Sequence, residues 1–93
     1  MIHFVVHSAQ DSVGVVVVEG IHTGQALTGW IMDVDRTLQI ESEHDIPIGH
    51  KLALVDIASG DTVVKYGHDI GRAIAPIQRG EHVHVHNLKT KRW

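Results

Sequence analysis

Four times in this chain an isoleucine is followed three residues later by a glycine: Ile21-His22-Thr23-Gly24, Ile46-Pro47-Ile48-Gly49, Ile57-Ala58-Ser59-Gly60 and Ile77-Gln78-Arg79-Gly80. After each glycine comes a polar residue and then β-type sequence, as in Gln25-Ala26-Leu27, His50-Lys51-Leu52, Asp61-Thr62-Val63 and Glu81-His82-Val83. The isoleucine reads as an anchor in the core and the next two residues as a turn. Glycine supplies a backbone angle that a Cβ would resist. Four such units within 93 residues leave room only for short strands and tight reversals, so the pattern predicts a small all-β fold.

The intervening segments agree. Val13 to Val18 is almost wholly β-branched and predicts a strand covered on both faces. Thr37-Leu38-Gln39-Ile40-Glu41 alternates polar and apolar, the mark of a half-exposed strand. Leu52 and Leu54 should share one face of a strand, with Lys51 and Ala53 on the other. Ile70, Ile74 and Ile77 have helical spacing, but Gly71 and Pro76 interrupt it, and the segment is expected to be strand or irregular. No linker or low-complexity tract divides the chain, so residues 1–93 are expected to be one domain.

Bulk composition excludes several classes of function. With 43% hydrophobic and 20% charged residues the chain is globular, and a net charge of −3 offers no footprint for nucleic acid. The longest apolar run, Val15-Val16-Val17-Val18, is strand-sized and predicts no membrane span. Met1-Ile2-His3-Phe4 lacks the marks of a signal peptide. Absence of cysteine removes disulfides, thiolate metal ligands and thiol nucleophiles, and suits the cytoplasm. Lys89, Lys91 and Arg92 make a basic tail, open to an anionic partner and otherwise simply solvated. A core this small gains from an interface, so a homo-oligomer or a larger partner is expected.

The unusual number is histidine, nine in 93 residues. In His82-Val83-His84-Val85-His86-Asn87, a continuous strand would aim the histidines one way and Val83 and Val85 into the core. Imidazoles two residues apart on a strand can converge on a divalent ion or exchange protons near neutral pH. A polar edge strand that happens to be rich in histidine accounts for the spacing equally well. His50 and Lys51 follow the Gly49 turn, where side chains often project from a scaffold, and a lysine can hold a carboxylate or sulfonate. Lys65-Tyr66-Gly67 offers a proton donor and an anion holder at a bend, or ordinary strand-end residues. His44-Asp45 and His68-Asp69 are either carboxylate-oriented imidazoles or, as adjacent residues, turn positions. His3, His7 and His22 read as ordinary polar positions, and Asp11 could reach a site only through tertiary folding.

Several motifs in order resemble the small N-terminal domain of the altronate and galactarate dehydratase family. They are Asp45-Ile46-Pro47-Ile48-Gly49-His50-Lys51-Leu52-Ala53-Leu54, Gly60-Asp61-Thr62-Val63-Val64-Lys65-Tyr66-Gly67, Ile70-Gly71-Arg72-Ala73 and Gly80-Glu81-His82-Val83-His84-Val85-His86-Asn87. Upstream, His7-Ser8-Ala9-Gln10-Asp11-Ser12-Val13 joins the match, although dehydratase members often carry Asp-Asn-Val where this chain has Asp11-Ser12-Val13. The resemblance implies an SAF-type domain with the β-clip fold. Members occur as one long chain or as small and large subunits, and this chain looks most like the small subunits of the sulfo-lyase branch. The implied reaction is β-elimination of sulfite or water from a hydroxy acid such as sulfolactate, altronate or galactarate. A divalent metal, iron or else manganese or another ion of that class, is implied too, held by or shared with a large catalytic subunit. On this resemblance His84, His86 and Tyr66 are the catalytic candidates and His84 and His86 the metal ligands, while His50, Lys51, Lys65 and Asn87 bind substrate. Two other readings stay open. One is a non-catalytic SAF-type binding or regulatory module; the other is a stand-alone cupin-like metal protein using His82, His84 and His86.

Overall fold

A computed structural model describes residues 1–90. Its elements are all strands: β1 (Phe4–Val6), β2 (Val13–Val16), β3 (Ala26–Ile31), β4 (Arg36–Glu41), β5 (Lys51–Ala53), β6 (Thr62–Lys65), β7 (His68–Ala73), β8 (His82–Val83) and β9 (Leu88–Lys89). One sheet runs β4-β3-β1-β2-β5-β8, and a smaller one runs β6-β7-β9. The all-β expectation holds. No helix of the described residues is long and apolar enough to cross a membrane.

The Ile-x-x-Gly units form as the sequence predicts. In each, the residue after the glycine donates its N–H to the carbonyl three positions back: Gln25 to His22, His50 to Pro47, Asp61 to Ala58 and Glu81 to Gln78. The glycines sit at φ 83° (Gly24), 85° (Gly49), 88° (Gly60) and 90° (Gly80), the left-handed value that a type II turn needs at its third residue. All four isoleucines are buried, and they pair: Ile21 bridges Ile46, and Ile57 bridges Ile77. An aspartate seals each pair from outside. Asp45 accepts the Thr23 N–H at 2.8 Å, and Asp56 accepts the Arg79 N–H at 2.8 Å. The turns therefore work in couples, one couple per core.

The cores are two. Ile21 and Ile46 pack with Phe4, Val6, Val16, Leu27, Ile40, Leu52 and Leu54, whereas Ile57 and Ile77 pack with Val13, Ala53, Val63, Ala73 and Val83. Strand β5 lies between them, with Leu52 facing one core and Ala53 the other, as its alternation predicts. Gly29 lets the fully buried Phe4 ring lie across β3, since a Cβ there would stand 2.1 Å from Phe4 Cε2.

Two expectations need correction. The valine run is strand only as far as Val16, and Val17 is exposed, so it is not covered on both faces throughout. The C-terminal histidine segment is not one strand either. It ends at Val83, residues 84–87 form a turn, and Val85 is 76% exposed rather than in the core. Asn87 is the cause. Its side-chain carbonyl accepts the His84 N–H at 2.9 Å and its amide donates to the His82 carbonyl at 2.8 Å, so a side chain takes the place of a ladder partner. The segment around Ile70 and Ile74 is strand β7 and a bend, as expected.

Candidate functional site

The site is assembled from β5, β8 and the turn after β8. Pairing of β5 with β8 sets Leu52 opposite His82 and Lys51 opposite Val83. Directly opposed residues share a face, so His50 and His82 emerge on one side of the sheet while Lys51 follows Val83 to the other. The Gly49 turn fixes where β5 starts and thereby places His50. The Asn87 clamp then folds His84 back over it.

Three imidazoles meet. His50 Nδ1 and His82 Nε2 share a hydrogen bond at 2.8 Å. The rings of His50 and His84 stack at 3.8 Å between centroids, with 17° between planes. A ligand nitrogen from each of His50, His82 and His84 lies within 4.8 Å of the others. His86 is an outer neighbour, exposed and tilted against His82 at 5.1 Å. His44 Nδ1 accepts the His82 backbone N–H at 3.2 Å.

Two of these rings, His82 and His84, have their charged forms disfavoured. The His82 pKa is pushed down to about 4, first by burial and then by His86, His50, His84 and His44. His84 is lowered as well, by burial first and then by His50, Lys51 and His86, and its Nδ1 is buried without a hydrogen-bond partner. Lys51, half-buried, is held below the usual lysine range by burial and by the nearby Lys65 charge.

Lys65 leads to a second group. Its Nζ lies 5.0 Å from the centre of the Tyr66 ring, and that ring also meets His7 at 4.6 Å. Tyr66 and Gly67 form the two-residue hairpin turn between β6 and β7, with left-handed φ of 57° and 70°. Tyrosine seldom adopts that conformation, and Asp11 holds it there. The carboxylate is 4% exposed and accepts the N–H groups of Ser8 (3.2 Å), Tyr66 (3.0 Å) and Gly67 (2.9 Å). Next to it Ser12 Oγ accepts the Val64 N–H at 3.2 Å.

Of the residues singled out from sequence, His50, Lys51, His84, Lys65 and Tyr66 thus lie along one connected path. His82 belongs to the cluster, and His86 is at its margin. Asn87 is buried with both ends of its amide occupied by backbone, so it braces the turn. Asp45 spends its carboxylate on the Thr23 N–H and hydroxyl, and Asp69 accepts the Gly71 N–H. Sequence reasoning passed over His7 and gave Asp11 no role. The signal that was available is Tyr66-Gly67 itself, a hairpin pair in which the non-glycine residue needs an outside brace. Lys91 and Arg92 of the basic tail lie outside the described residues.

Comparison with known proteins agrees with this architecture. Residues 2–91 match the family described as altronate/galactarate dehydratase SAF domain. The chain is 66% identical over 92 residues to the (2R)-sulfolactate sulfo-lyase subunit alpha of Chromohalobacter salexigens, covering 99% of this chain and 98% of that one. It is 53% identical over 55 residues to the same-named subunit of Paracoccus pantotrophus, covering 59% of this chain and 82% of that one. Against the altronate dehydratase of Bacillus subtilis it is 53% identical over 53 residues, covering 57% of this chain but 11% of the much longer relative. The chain belongs to the altronate/galactarate dehydratase SAF-domain family.

Proposed function

We propose that this chain is the small subunit of a two-component lyase that eliminates sulfite or water from a hydroxy acid, at a site completed by a larger catalytic subunit. One observation carries the reading. Two lysines lie along the path that joins the imidazole cluster to Tyr66: Lys51, half-buried next to His50 in sequence, and Lys65, whose Nζ stands 5.0 Å from the Tyr66 ring centre. Lysine charges beside a cluster of imidazoles suit a small anionic acid. Membership of a family whose relatives are named as lyases supports the same assignment.

Under this proposal Lys51 and Lys65 hold carboxylate or sulfonate groups as compact charges. His86, exposed at the margin of the cluster, accepts the proton from the carbon next to the carboxylate, while His84, whose proton affinity is lowered first by burial, stays free to serve as a ligand. The C–H electron pair forms the new double bond, and the bond to the leaving group breaks with its pair on sulfite or hydroxide. His86 or Tyr66 returns a proton to a departing hydroxide. His50 orients the substrate beside His84, and Asn87 keeps the His84 backbone in place. A divalent metal, expected as iron from the family resemblance, would supply positive charge against the enolate-like oxygen when bound. The donor set fits it, since neutral imidazoles suit such ions and one buried His84 nitrogen is unpartnered. Residues 1–93 working as one unit, a cytoplasmic setting and self-association of the small subunit are parts of the same proposal.

The test is to mix the purified chain with its large subunit and assay sulfolactate, altronate and galactarate. Neither subunit alone should turn over, and the mixture should. Lys51→Ala or His86→Ala in the mixture should lower turnover about a hundredfold or more, the usual size of an acid–base contribution. Undiminished turnover in both variants would sink the catalytic role and leave a non-catalytic binding module.

A further inference from the structure

We infer that His50, His82 and His84 together form a three-imidazole site for a divalent first-row cation, held by this chain without ligands from its partner. Such a site, which rests on the lyase reading for its role, locates the ion in the small subunit. It replaces the pair His84 and His86 that the family resemblance implies.

The geometry supports it in three ways. Ligand nitrogens from these three histidines lie within 4.8 Å of one another, with His50 Nδ1 and His82 Nε2 already at 2.8 Å. Nitrogens bonded to one tetrahedral ion at about 2.0–2.1 Å stand roughly 3.3 Å apart, so only small ring movements separate the cluster from a chelate. The His50 and His84 rings are stacked 3.8 Å apart between centroids, with planes 17° from parallel, so the two side chains already share one small space. The Asn87 clamp fixes the His84 backbone without engaging the ring. His84 Nδ1 is buried with no hydrogen-bond partner, an uncommon state for a ring nitrogen in a folded protein. Finally, the donors are uniform. With no thiolate in the chain and no carboxylate in the group, three imidazoles favour zinc, cobalt, nickel, copper or iron over magnesium and calcium. Three protein ligands leave a fourth position open. Lys51 near His84 would favour an anion as the fourth ligand.

His86 does not belong to the set. It is exposed and lies 5.1 Å from His82 at a 43° tilt, outside the group whose nitrogens converge.

The experiment uses the full chain, purified metal-free. Cobalt(II) is titrated in while the visible absorption of the coordinated ion is followed, and zinc(II) binding is measured by calorimetry. The expected result is saturation at a single ion per chain. His50→Ala, His82→Ala and His84→Ala should each weaken binding by about a hundredfold or more, beyond the effect usual for outer-shell partners. His22→Ala and His86→Ala should stay within a few-fold of wild type. Absence of one-to-one binding, or a loss in His86→Ala as large as in His84→Ala, would overturn the inference. Because an alanine variant could fail through unfolding, ring nitrogen resonances of the wild-type chain are followed as zinc(II) is added. Shifts at His50, His82 and His84 are required, and their absence refutes the site. A chain that binds no ion but forms an active mixture refutes this inference and leaves the lyase reading standing. A chain that binds the ion but forms a mixture inert on all three acids does the reverse.

Discussion

Asp11 offers the sharpest test of how the fold supports the lysine and tyrosine side of the site. Its buried carboxylate accepts three backbone N–H groups, two of them from the left-handed Tyr66-Gly67 turn. Hydrogen bonds to a charged acceptor contribute about 1.5–3 kcal/mol each. Tyr66 and Gly67 are exposed, so water would recover part of that when the carboxylate is removed. Taking the low end for those two, and less for the longer Ser8 bond, Asp11→Ala should cost about 3 kcal/mol. For a domain of this size that lowers the melting temperature by well over 10 °C, roughly. Urea denaturation with an unchanged m-value measures the loss directly. Asp11→Asn keeps one acceptor oxygen and should recover about a third to a half of it. Amide exchange at Tyr66 and Gly67 should quicken more than at the β1–β3 pairing, because the brace acts locally. A loss under about 1 kcal/mol, or an asparagine variant as stable as wild type, would show that the carboxylate does not hold the turn.

Two further outcomes concern packing and charge. Gly29→Ala would place a Cβ 2.1 and 2.2 Å from Phe4 Cε2 and Cζ, so it should destabilise by about 3 kcal/mol, the upper end for overpacking. Phe4→Leu in the same chain should recover part of the loss; an alanine tolerated within about 0.5 kcal/mol would refute the contact. The His82 pKa is depressed from 6.5 to about 4, so the unfolded chain binds the extra proton between those values, and stability falls as pH drops through that window. Discounted for solvent around a half-exposed ring, the loss is about 1 kcal/mol, read as a lower urea midpoint at pH 4 than at pH 7. His82→Gln should flatten that dependence, and an equally steep variant would assign the acid sensitivity elsewhere.

What the sequence revealed depended on the range of the interaction. Each Ile-x-x-Gly turn closes within four residues, so isoleucine anchor, glycine angle and following strand were all legible. The coupling of those turns was not, because Ile21 meets Ile46 and Ile57 meets Ile77 only across the assembled sheets. Alternation along β4 and β5 was legible for the same local reason. It misled at the C-terminus, where Asn87 lies three residues beyond His84 and five beyond His82 and competes for their backbone groups. Asparagine close behind a short β run is a known competitor of the ladder, so the signal was present but outweighed by the histidine spacing. The pairing of His82 with His50 was not legible, because strand register with β5 is invisible in one sequence. That register sets His82 opposite Leu52 and hence beside His50.

The break in the strand is also what makes the cluster. On an unbroken strand His84 would stand about 6.5–7 Å from His82, with Val85 drawn inward behind it. Ending β8 after two residues exposes Val85 and folds the His84 ring onto His50, a segment 34 positions earlier in the chain. Burying one face of Val85 would have stabilised the domain by about 1 kcal/mol or more, so the turn gives up apolar burial. It also crowds rings whose protonation is mutually unfavourable, next to two lysines. A small domain with a limited core has little stability to spare for such an arrangement. The cost is explicable if the folded chain meets something that the unfolded chain does not bind, because a ligand selective for the native state restores stability by mass action. An ion on the three imidazoles, an acid on Lys51 and Lys65, and a partner covering the exposed turn all meet that condition, and each would be bound by a feature that weakens the domain alone.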